Sequence, residues 1–141
     1  MLFSIGKLNS NLSWPSLICS VDFVFEWTIK MMFQSLLEQF QALPSGTDSF
    51  KQLKNHCEQQ IKTADLSLEQ TALFLIYGFA KNYVLLYEDQ AVTADFSNAA
   101  KTQLLTYMQQ LNAALETQDK ALILERLNQV TQDYMLSSRV F

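Results

Sequence analysis

The sequence predicts an all-α protein, a compact bundle of four to five helices around a central apolar helix at about residues 68–88. Three observations carry this. Apolar residues recur at three- and four-residue steps from residue 32 onward. Only 3 Gly and 2 Pro punctuate 141 residues. Residues 72–80 are apolar without a break apart from Gly78, and a helix apolar on all sides belongs inside a bundle or a membrane. A hydrophobic share of 49% against 17% charged residues excludes a disordered tail, a collagenous repeat and a disulfide scaffold.

The first 30 residues are of another character. They contain no Gln, and Lys7, Asp22, Glu26 and Lys30 cancel, so the net charge of −4 belongs entirely to residues 31–141. Val21, Phe23, Phe25, Trp27 and Ile29 alternate with mostly polar neighbours, the period of a strand. This extension, residues 1–30, has two readings. It is a strand or hairpin, with residues 2–5 as partner, or it lies upstream of a true start at Met31 or Met32. Pro15 interrupts its apolar run and no small-x-small cleavage site is present, so no export signal is expected. Cys19 and Cys57 are expected as reduced thiols in a cytoplasmic protein.

Residues 31–137 are expected to form the bundle. Phe33, Leu36, Leu37 and Phe40 make the first apolar stripe, stopped by Leu43-Pro44-Ser45-Gly46. A second helix, about 48–64, turns Phe50, Leu53, Cys57 and Ile61 inward and Lys51, Lys54, Glu58 and Lys62 outward. Ser67-x-x-Gln70 reads as a capping box opening the third helix. That helix lies at the lower edge of membrane-spanning length and carries Lys81, so the central-helix reading is preferred, with Phe74, Phe79 and Tyr83 as core aromatics.

A polar link, 88–95, ends with Thr93 or Asp95 capping the fourth helix, whose stripe is Phe96, Ala100, Leu104, Tyr107, Met108, Leu111 and Leu115. After a break at 117–119, the fifth helix presents Ile123, Leu127, Val130 and Tyr134, widened by Leu122 and Leu124. Short links favour antiparallel neighbours. Residues 138–141 are expected to fray unless Val140 and Phe141 dock.

The chemistry is sparse. One histidine, His56, cannot supply a di-metal or zinc site, and no phosphate-binding, dinucleotide or nucleophile-elbow motif is present. No catalytic, metal or cofactor residue is assigned and no cofactor is expected. A pI near 4.8 argues against nucleic acid as partner. A lone histidine on a helical bundle resembles the histidine phosphotransfer domains. Their His-x-x-Lys-Gly pattern, however, is answered here by Gln59 and Gln60.

Glu88, Asp89 and Asp95 are the candidate contacts for a basic partner surface. Tyr77, Gly78, Lys81, Tyr83 and Tyr107 are the candidate lining of a ligand pocket. The leading expectation is a small, acidic, non-catalytic protein that binds another protein as adaptor, regulator or inhibitor. An apolar-ligand or lipid carrier, a phosphotransfer-like module using His56, and a homo-oligomer paired through residues 21–29 are the alternatives.

Overall fold

A computed structural model describes residues 32–65 and 68–141. The strand expected at 21–29, its partner at 2–5, the alternative start at Met31, Cys19 and the cap residue Ser67 lie outside the described residues. Those described form five helices and no strand. We label them α1 (32–42), α2 (Thr47–Thr63), α3 (Gln70–Tyr87), α4 (Ala94–Glu116) and α5 (Lys120–Leu136). The all-α bundle read from periodicity is the fold.

Each boundary has a local cause. Behind α1, the chain turns through Pro44 to Gly46, whose φ of +148° is a conformation that side-chain-bearing residues rarely adopt. Its carbonyl accepts from the amides of Ser49 and Phe50, which starts α2 without a side-chain cap. At α3 the expectation shifts. The helix opens at Gln70 with Glu69 at the N-cap and no side-chain cap bond, so Gln70 is the first helical residue and does not take the third position that a capping box requires. For α4 the cap is Thr93, whose hydroxyl accepts from the Phe96 amide at 3.2 Å; Asp95 sits in the first turn, where a carboxylate favours the helix dipole. Asp119 caps α5, accepting from the amides of Ala121 at 2.9 Å and Leu122 at 3.3 Å. Gln118 before it takes a left-handed φ of 59° to make the tight turn.

Helix directions are set by contacts far apart in sequence. Gln34 on α1 accepts from Asn112 on α4 at 2.7 Å, and Lys101 on α4 donates to the carbonyls of Gln41 and Leu43 at the end of α1. Those two helices therefore run antiparallel. Tyr87 at the end of α3 meets Phe96 at the start of α4, with ring centroids 5.0 Å apart, so α3 and α4 are antiparallel too. With α5 folding back along α4, helices α3 and α5 run in the same direction.

The core has two aromatic centres. Around α2 and α3, Phe50 stacks on Tyr83 at 3.8 Å and takes the edge of Phe40 at 5.5 Å. Around α4 and α5, Phe79, Tyr134 and Phe141 gather with Tyr107, the Phe79 centroid lying 4.7 Å from Tyr134 and 5.2 Å from Phe141. The tail expected to fray instead returns to the bundle. Phe141 is buried, Val140 is partly buried, and the Tyr134 hydroxyl donates to the Phe141 main-chain oxygen. The aromatic face of the tail decides this, because leaving Phe141 in water would forgo one of the larger burials a single side chain can make.

Candidate functional site

Helix α3 buries Ala72, Leu73, Ile76, Phe79, Ala80, Tyr83 and Val84, yet Phe74 is 64% exposed and Leu85 70% exposed. On α5, Leu124 is 59% exposed while Ile123, Leu127 and Val130 are buried. Phe74 was expected as a core aromatic and Leu124 as widening the apolar face of α5, and both stand outside the core. The reason is shared. They flank a groove of about 410 Å³ between α3 and α5 that no other described element fills.

Its walls are one helical face from each side. Thr71, Phe74, Leu75, Gly78 and Asn82 of α3 recur at steps of three and four, as do Leu124, Leu127, Asn128 and Thr131 of α5. Phe79 closes the floor and also belongs to the Phe141 cluster, so the docked tail braces the groove from behind. Gly78 gives the groove its depth, since a Cβ added there would meet nothing within 4 Å. Apolar side chains dominate, the polar members are amides and hydroxyls, and no lining residue is charged. The groove offers contact area and a few hydrogen bonds; it places no titratable group against an occupant.

The residues expected to line one pocket are dispersed. Gly78 lies in the groove. Tyr77 is half-buried beside it, its ring 6.1 Å from Phe74. Lys81 is exposed and faces α2, where it adds to the Lys62 hydrogen bond and charge that hold the Glu58 carboxyl low. Tyr83 is fully buried under Phe50, and desolvation pushes its phenol up. Tyr107 is buried on α4, where its hydroxyl accepts from Gln103 at 2.9 Å. Tyr83 and Tyr107 belong to the two separate aromatic centres, so they cannot share a ligand; packing claims both.

The acidic candidates do come together, at the α3–α4 link. Glu88, Asp89 and Asp95 are all exposed. Glu88 is already paired with Lys51 of α2, which raises the lysine chiefly through that hydrogen bond. The free acidic surface is correspondingly smaller than the sequence implies.

His56 lies half-buried on the flank of α2. Beside it, Cys57 is buried and its thiol is pushed up to about 12 by desolvation, which leaves it a neutral core group. Among the described residues no group of three or more His, Cys, Asp or Glu is placed to hold a metal ion, and no helix is long and apolar enough to cross a membrane.

The groove itself was missed from sequence, although α3 carried a signal for it. Positions 71, 74, 75, 78 and 82 fall along one side of a helix. Gly78 and Asn82 on that side break the apolar pattern, so they mark the open face, and Phe74 lies one turn before Gly78. Comparison with known proteins returns no match, neither a family model, nor a curated protein, nor a solved structure.

Proposed function

We propose that the protein is a non-catalytic binding module whose α3/α5 groove receives an apolar segment of another protein, as an adaptor, regulator or inhibitor would. The observation that carries this is the pairing of Phe74 and Leu124, two large apolar side chains held in water on either side of an uncharged groove. Contiguous exposed apolar surface of this kind marks interaction sites in folded proteins. An apolar face laid between two helices is a recurring mode of peptide recognition.

The test is capture from native extract by the tagged chain, run beside Leu124→Glu and Phe74→Glu. Both positions are exposed, so the fold should tolerate the charge. A stoichiometric partner held by the parent chain and lost with either variant supports the groove. A partner lost instead with Glu88→Lys or Asp89→Lys would move the site to the acidic link and overturn this reading.

A second reading has its own observation. At about 410 Å³ the groove is within the size range of small-ligand pockets, so an apolar small molecule or lipid chain is the alternative occupant. Native mass spectrometry of the purified chain distinguishes the two. A non-covalent adduct lost with Leu124→Glu would favour the ligand.

A further inference from the structure

Helix α3 carries both halves of a contact that a single molecule leaves unmade. We propose that a second copy of the chain covers the α3/α5 groove, in a two-fold pair that sets α3 antiparallel on α3 and each Phe74 ring over the other copy's Gly78. The inference rests on the groove being a docking surface, as read above, and adds a competitor for it.

The first argument is self-complementarity. Phe74 and Gly78 stand one turn apart on the same face of α3. Phe74 is the knob: Tyr77 flanks its ring at 6.1 Å, and most of the side chain is in water. Gly78 is the hole, with nothing within 4 Å of the place a Cβ would take. A two-fold axis crossing α3 between them, at the level of Ile76, fills both holes at once, because in an isologous contact residue i meets j and j meets i. A parallel pair would set ring on ring and glycine on glycine. The antiparallel pair follows.

The second is the chemistry of the face. No lining residue is charged, so the groove walls bring no like charges together although the chain carries a net −4. A helix also suits an apolar groove better than an extended segment does. Its main-chain groups are already paired, whereas an extended segment would need partners that the few amides and hydroxyls here cannot supply.

The third is area. Helix α3 has 18 residues, so it is about 27 Å long, and with α5 beside it the face is about 20 Å wide. That amounts to on the order of 500 Å² per copy and 1,000 Å² for the pair, the threshold of a specific interface. Exposed Leu85 and Met135, three turns beyond Phe74 and Leu124, extend the apolar strip on both helices. An interface of this size associates reversibly, so dilution frees the groove for a partner and concentration closes it.

Sedimentation velocity of the full chain tests this. The expected result is a monomer near 1 µM that shifts to a dimer, and no further, by about 500 µM. Phe74→Ala removes the knob and Gly78→Leu fills the hole, and each should weaken dimerisation about tenfold or more. The decisive sample is the two variants mixed. In a mixed pair one ring still meets one glycine, and on the other side the introduced leucine meets the introduced alanine, so the dimer should return. Circular dichroism melts confirm that each variant is folded.

A parent that stays monomeric, a dimer indifferent to both variants, a mixture that remains monomeric, or growth beyond two copies would each overturn the proposal. The two readings fail separately. Partner capture that depends on the groove while the parent stays monomeric removes only the inference. A groove-dependent dimer with partner capture indifferent to the groove removes only the partner-binding function.

Discussion

The two sides of α3 are built from similar amino acids and end in opposite states. Toward α2, Phe50 and Tyr83 stack face to face, Leu53 and Cys57 fill the space beside them, and all four are fully buried. Toward α5, Gly78 withholds a side chain at the point of deepest approach, and Phe74 and Leu124 stand apart across the gap. Apolar composition alone therefore does not fix burial. What decides it is whether the facing helix presents a side chain that fits, and opposite Gly78 none does.

The largest test of this contrast is Phe50→Ala. It removes the ring shared by Phe40 and Tyr83, and urea denaturation should show a loss of about 3–5 kcal/mol. Phe141→Ala comes next, at about 3 kcal/mol, the lower end of the same range because the end of the chain can relax. Near-ultraviolet dichroism should change with it as Phe79, Tyr107 and Tyr134 lose their common neighbour.

Glu69 sharpens the comparison at the N-terminal end of α3. Its carboxyl is buried with one oxygen unpaired, and desolvation raises it above its ordinary 4.5. The folded state thus holds the proton more tightly than the unfolded chain. The stability this gives is complete below pH 4.5 and is lost as pH rises through the folded value. Glu69→Gln should be more stable than the parent at pH 7, by about 1 kcal/mol, with the difference closing toward pH 4 in parallel melts.

The smallest effect belongs to the open side. Gly78→Ala should stabilise the protein by about 0.5–1 kcal/mol, since glycine inside a helix costs that much and the added methyl meets nothing. Gly78→Leu fills the groove, and the partner captured by the parent should then be lost while the melting temperature holds or rises. A fall in stability on Gly78→Ala would show that the gap is closed in solution.

Most buried positions were legible because each helix repeats its apolar residues toward one neighbour. Leu36, Leu53, Leu104, Leu111 and Val130 could be placed without any knowledge of the fold. For α3 the same reasoning loses its grip. A helix apolar on all sides has no preferred face, so Phe74 and Phe79 look alike in sequence and differ only through what stands opposite. The docking of Phe141 depends on a gap between α3, α4 and α5 that exists only once all three are assembled. The groove likewise requires α3 and α5, some fifty residues apart in the chain, to run side by side.

Cys57 gives the closed side of α3 a clock. Its thiol is buried on the inner face of α2 and held neutral to about pH 12, so an alkylating reagent must wait for that helix to part from its neighbours. With Cys19→Ser in place, the slope of modification rate against reagent concentration reports how often this interface opens. The plateau reports how fast, under conditions where every molecule counts as native by any bulk probe.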